Sequence, residues 1–252
     1  MKSINKIILG NVKTIFETTY FKMSLILMLV LSIYGGYLSA GFNYLEGFIS
    51  ILSFPIFFTF AVLVPFLVIT FCTCNYFDKN EYLISRLTSR KEYLKTLILT
   101  VFVVNLFVYI IMLIIIIIAL NLFPKAGIGF KFNDLLNCHN FIYLIFIIVR
   151  LFCIIQSISI FNTLLCRIIN SKIIVGMNMI LYGSFIAFSY LNVDKITSIL
   201  NIPLYIGNYL IISKYDNFFI EFCCTTIYIS ILVLINYLLS IFVRKKLGDI
   251  KI

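Results

Sequence analysis

The chain has 252 residues, of which 62% are hydrophobic and only 12% charged, with a mean hydropathy of +1.11. A water-soluble domain carries charge on roughly a quarter of its residues, so a soluble globular protein is excluded, and length is better counted in bilayer crossings of about 20 residues each. The net charge of +10 is scattered over short membrane-proximal segments, which points to anionic lipid headgroups and not to nucleic acid.

Residues 1–22 come first. Ile4, Ile7, Ile8, Val12, Ile15 and Phe16 recur at helical spacing, with Lys2, Lys6 and Lys13 mainly off that stripe. They form either an amphipathic helix lying on the inner membrane face or a simple extension of the first span. No small-residue cleavage site follows, so a secretory leader is not expected. Six apolar runs are then long enough to cross a bilayer: Met23–Ala40, Phe48–Cys74, Thr96–Phe123, Phe141–Leu165, Ile173–Leu191 and Phe218–Val243. In hydrocarbon an isolated segment satisfies its backbone only as a helix, and the runs lack the alternation of a β-barrel. The expected fold is therefore all-α: one polytopic domain over residues 1–252 with six transmembrane helices.

Within the first run, Ser32, Gly36 and Ala40 place small residues on one face, and Gly176 and Gly183 make a second small face in the fifth. Such faces let another helix approach closely, within the chain or in a second copy. Pro55 and Pro65 interrupt the second run and are expected to bend it, as a passive kink or as the wall of a pathway. The fourth run contains Arg150, Gln156 and Asn162. A mid-membrane arginine faces protein or water, so Arg150 either lies on a transport path with the other two or pairs with a carboxylate, Glu221 being a candidate. Between the runs, Pro124–Asn140 reads as an irregular loop, and residues 192–217, with apolar pieces around Pro203, as short helices at the outer interface.

Orientation follows from the cations. With the N-terminus inside, the cytoplasmic segments hold fifteen lysines and arginines, and the external loops hold only Lys125, Lys131, Lys195 and Lys214. The positive-inside rule then places both termini in the cytoplasm. Of the seven cysteines, Cys72, Cys74, Cys153 and Cys166 lie in or at the ends of spans as small apolar groups. Cys72 and Cys74 lack a second ligand pair for zinc, and no metal site is expected at Cys138 and His139.

The most distinctive stretch lies between the second and third runs, within a cytoplasmic segment spanning residues 75–95. Asp78, Lys79, Glu81, Arg86, Arg90, Lys91, Glu92 and Lys95 cluster there beside Tyr82, Leu83, Leu87 and Tyr93. It is either a solvated turn or a short amphipathic helix. Here the chain resembles the type 2 permeases of ABC exporters, which often carry an acidic residue followed by an Arg-x-x-Ser-Arg-like stretch after the second span. The matching residues are Glu81, Arg86, Ser89, Arg90 and Tyr93. The resemblance implies that this segment is a coupling helix docking on a separate ATPase. It also implies that the N-terminal helix meets that ATPase, and that the first and fifth spans face a second permease, identical or different. ATP and Mg would belong to the ATPase, because the chain contains no GxxxxGK[ST] loop; no cofactor and no catalytic residue is expected in it.

Among rival classes, an intramembrane metalloprotease needs paired histidines, and the chain has one histidine. A proton-coupled carrier would need carboxylates inside the spans, which are nearly absent. A lipid-modifying enzyme and a non-transporting immunity subunit remain as alternatives. The Ile, Asn and Lys bias suggests an AT-rich bacterial genome; the resemblance implies a place in the bacterial cell membrane and an amphipathic or antimicrobial peptide, or a lipid-like molecule, as cargo. The topology makes a direct prediction: a membrane-impermeant maleimide added to intact cells labels Cys138, and labelling only after permeabilisation would invert or break the expected arrangement.

Overall fold

The computed structural model describes residues 2–53, 55–79, 90–123, 140–190 and 218–246, and these are helical apart from short turns. In chain order they form α1 (Lys2–Glu17), α2 (Thr19–Leu38), α3 (Tyr44–Ser53), α4 (Pro55–Phe57), a π-turn (Phe58–Leu63), α5 (Val64–Lys79), α6 (Arg90–Asn121), α7 (Asn140–Leu165), α8 (Ser171–Tyr190) and α9 (Phe218–Lys246). No strand occurs among the described residues. Five helical stretches are long and apolar enough to cross a membrane: Thr19–Leu38, Phe58–Lys79, Lys91–Asn121, Ile142–Leu165 and Phe218–Lys246. The molecule is a multi-pass, all-helical membrane protein.

In the second apolar run, α3 covers Tyr44–Ser53, α4 begins at Pro55, and the stretch long and apolar enough to cross the membrane is Phe58–Lys79. A proline fits the first position of a helix, where its missing N–H needs no partner. Asn43 and Glu46 cap α3 reciprocally. The Glu46 N–H donates to Asn43 Oδ1 at 2.9 Å, and the Asn43 N–H to Glu46 Oε2 at 3.4 Å, a capping box. The turn between α2 and α3 passes through Gly41 at φ +86°, where a side chain would be strained.

Pro65 has a different effect. The turn before it widens to the π form, with the Val64 N–H reaching Thr59 O, five residues back. A wider turn moves the preceding carbonyls away from the proline ring that would otherwise press on them. The span continues, and it becomes the centre of the molecule: 72% of its apolar stretch is buried, against 11% for α9. Phe57, Phe58, Ala61, Val62, Phe66 and Ile69 pack there against Phe21 and Met28 of α2, Val104 and Met112 of α6, and Ile147 and Ile154 of α7.

The amphipathic α1 does more than lie on a surface. Ile7, Asn11 and Ile15, one helical turn apart, are buried, and the Asn11 amide donates to Thr73 Oγ1 of α5 at 3.1 Å. Gly10 lies so close to Tyr76 that an added Cβ would fall 2.4 Å from the phenol oxygen. The helix is therefore keyed into the lower half of α5. Its exposed Lys13–Glu17 pair, at 3.8 Å, adds little.

Of the two uses open to the small residues of α2, contact within the chain accounts for Ser32 and Gly36. Both are buried: a Cβ on Gly36 would meet the Ala119 carbonyl oxygen of α6 at 2.5 Å. Ala40 is exposed, and Gly176 and Gly183 of α8 face open space. Because the obstacle at Gly36 is backbone, Gly36→Val should destabilise the protein by about 1–3 kcal/mol through overpacking. Gly176→Val should leave thermal unfolding in detergent nearly unchanged. Equal melting curves for the two variants would refute the α2–α6 contact.

Candidate functional site

The three polar residues of α7 each meet a different helix. Six residues advance a helix by about 240° beyond a full turn, so Arg150, Gln156 and Asn162 point to three different neighbours. Arg150 Nη1 donates to Glu221 Oε1 of α9 at 2.6 Å, both side chains being buried, and its guanidinium lies 5.7 Å from the centre of the Phe146 ring. Gln156 Oε1 accepts from Asn105 Nδ2 of α6 at 2.9 Å. Asn162 and Asn178 of α8 exchange amide hydrogen bonds in both directions at 3.2 Å. Asn236 of α9 adds a bond to the Ser157 carbonyl at 3.0 Å, and the Tyr109 hydroxyl of α6 donates to the Ile148 carbonyl at 2.7 Å. These bonds make α7 the helix on which α6, α8 and α9 are registered.

A few polar atoms stay unpaired in this layer, among them Glu221 Oε2, Asn105 Oδ1 and Gln156 Nε2. A small cavity lined by Leu63, Phe66, Leu67, Ile155, Ile158, Ser159, Asn162 and Tyr182 lies between the π-turn region, α7 and α8.

A second constellation gathers where the described chain stops at Lys79 and resumes at Arg90. Arg167, just beyond α7, is its centre. Its Nη1 donates to Asp78 Oδ1 at 2.5 Å and to the Tyr93 hydroxyl at 3.0 Å, while Nη2 donates to the Cys74 carbonyl at 3.3 Å. One planar guanidinium thus bridges the last turn of α5, the first turn of α6 and the α7–α8 connection. The side chain of Arg167 is only 8% exposed, that of Asp78 55%. Burial works against the charge of Arg167, but Tyr93, Cys74 and Asp78 outweigh it and raise its pKa above the ordinary arginine value. Neighbouring Cys166 is pushed up as well, by its hydrogen bond to Cys74 and by burial, so it stays a thiol and a poor nucleophile.

Apolar packing reinforces the same place. Ile7 of α1, Phe77 of α5, Tyr93, Leu94 and Leu97 of α6, Leu164 of α7 and Val243 of α9 form a buried cluster, with Phe77 and Tyr93 edge to face at 5.7 Å. Lys246 of α9 donates to the Ile168 carbonyl at 3.3 Å.

Of the sequence-derived coupling residues, Tyr93 is thus part of this knot, and Arg90 is the first residue of α6. Glu81, Arg86 and Ser89 lie outside the described residues. No protein-family model, curated protein or solved structure matches the chain. The site therefore rests on its own geometry.

Sequence reasoning did not single out Asn11, Asp78, Asn105, Arg167, Asn178 or Asn236 as partners. Three of them, Asn105, Asn178 and Asn236, are isolated amides within apolar runs, which is itself a signal, because a polar group in hydrocarbon needs a protein partner. Arg167 was counted among the inner cations, and nothing in its spacing distinguishes it.

No group of three or more metal-ligating side chains occurs among the described residues. Removing one member of a buried ion pair leaves the other uncompensated, typically at about 3–5 kcal/mol. Arg150→Met and Glu221→Met should each destabilise the protein on that scale, and the double variant should recover most of the loss. Additive losses in thermal unfolding would show that the two side chains do not pair.

Proposed function

We propose that this chain is the membrane-spanning permease subunit of an ATP-driven ABC exporter of type 2. In this reading α8 completes a set of six spans, both termini face the bacterial cytoplasm, and residues 80–89 couple to a separate ATPase that carries ATP and Mg. The observation that carries the reading is the Arg167 knot. The two helices that flank the charged segment are tied to one another and to the α7–α8 connection at that segment's base. A solvated turn would need no such base, whereas a segment that receives force from a partner does.

Two further features support it. The docked α1 puts a second amphipathic element at the same end. Gly176 and Gly183 leave close-approach positions open on α8, where a second permease, identical or different, would pack. Cargo would then move between two subunits and not through one, in keeping with an interior filled by apolar packing. An amphipathic peptide or a lipid-like molecule suits such a boundary. Closure of the ATPase pair on ATP would shift the permease pair towards an outward-open state.

One observation favours a second reading, a non-transporting immunity subunit: Arg150, Gln156 and Asn162 are all engaged in helix-to-helix bonds. The two readings separate on the ATPase. Affinity-tagged chain should co-purify an ABC ATPase from its native membrane. Glu81→Ala or Arg90→Ala should reduce that recovery at least fivefold while membrane insertion is unchanged. Undiminished recovery and undiminished transport in both variants would remove the coupling role from this segment.

A further inference from the structure

We propose that Arg167 is a positioning residue for the coupling segment: it holds Asp78 of α5 and Tyr93 of α6, the described residues that flank positions 80–89, at a fixed separation and passes their displacement to the α7–α8 connection. This deepens the permease reading and rests on it for the partner, but the mechanical part stands on the geometry alone.

The segment's two ends are both within reach of one side chain. Asp78 precedes Lys79, the last described residue of α5, and Tyr93 lies in the first turn of α6. Arg167 bonds both through the same nitrogen, Nη1, and takes the Cys74 carbonyl one turn back on α5 with Nη2. The separation of α5 and α6 at this level is thereby set by a rigid planar group and not by flexible apolar contacts alone. Arg167 itself belongs to the short turn joining α7 to α8, whose backbone is tied by bonds from Arg167 to Leu164 and from Ile168 and Ile169 to Leu165. A push on the segment that displaces Asp78 or Tyr93 must therefore move this turn, and with it the start of α8, the helix that presents Gly176 and Gly183.

The chemistry of the side chain matters. The Arg167 Nε is buried without a hydrogen-bond partner, an unfavourable feature for a group retained merely as an inner-face cation, but tolerable where the fork must span three acceptors on two helices. Lysine would keep the charge opposite Asp78, yet as a point charge it cannot hold the Tyr93 hydroxyl and the Cys74 carbonyl in the same fixed geometry. Lys246 lies at the same end and donates to the Ile168 carbonyl, not to Asp78, Tyr93 or Cys74 among the described hydrogen bonds, and serves as a control.

The test uses the full-length chain in proteoliposomes, with ketone-bearing amino acids at the exposed positions Lys79 and Lys91 labelled by nitroxides, so that the native cysteines remain. Pulsed electron paramagnetic resonance should give one narrow distance. Arg167→Gln should widen the distribution at least twofold, as should Asp78→Asn, which keeps the proposal testable if the first variant folds poorly. Arg167→Lys should fall between. Lys246→Gln should change nothing. An unchanged distribution in a folded Arg167→Gln or Asp78→Asn protein would overturn the proposal.

With the co-purified ATPase present, Arg167→Gln should retain its binding but lose at least tenfold in cargo moved per ATP hydrolysed. Unaltered coupling would also overturn the positioning role. If the wild-type chain binds no ATPase, the permease reading fails, and the distance measurement alone decides whether Arg167 positions the segment.

Discussion

Inside a bilayer a polar side chain has no water to fall back on, and much of this fold follows from how one helix meets that condition. α7 carries an arginine, a glutamine and an asparagine in apolar surroundings, and each is bonded by a different neighbour: Glu221 of α9, Asn105 of α6, Asn178 of α8. Apolar contact between helices gains little where lipid tails are equally apolar, so specific polar bonds and close packing must select the partners. The bonds are spaced along α7 as well as around it, which sets the vertical register of three helices together with their order. Serine and threonine hydroxyls avoid the problem locally by bonding their own helix, as Ser32 does to Met28 and Thr100 to Thr96.

Around that hub the burial is uneven, and the unevenness has a chemical origin. The stretch from the π-turn through α5 is enclosed by α1, α2, α6, α7 and α8, while α9 keeps most of its surface outward. α2 reaches α6 because Gly36 offers no side chain against the Ala119 carbonyl. α1 reaches α5 because Gly10 admits Tyr76 and Asn11 finds Thr73. Pro65 is absorbed by a widened turn, so the helix continues through it.

At the basic end the logic changes from filling space to fixing distance. Arg167 joins groups on α5 and α6 through a single planar fork, and its partner Tyr93 belongs to an apolar cluster with Ile7, Leu164 and Val243. The result is a stiff base under a charged segment, held to the same turn that starts α8. An attachment point for an external force needs a rigid footing that is joined to another helix, and for that reason the knot, not the intramembrane polar layer, carries the functional proposal.

Composition and run length were enough to establish an all-helical membrane protein, because burying backbone in hydrocarbon leaves a long apolar segment one solution. The stripe of α1 was legible from its spacing, and Glu221 could be named as a partner for Arg150 because an intramembrane charge demands an opposite one. What the sequence left open is every choice among equivalent neighbours. Periodicity shows that Gln156 and Asn162 face different directions but not which helices stand there. A small-residue face such as Ser32 and Gly36 serves a helix of the same chain as well as one of another. Arg167 looks like any inner cation until Asp78, Tyr93 and Cys74, 74 to 93 residues away along the chain, are brought beside it. Those pairings are decided by three-dimensional proximity, since a hydrogen bond acts over a few ångströms of space and carries no trace in the spacing of the chain.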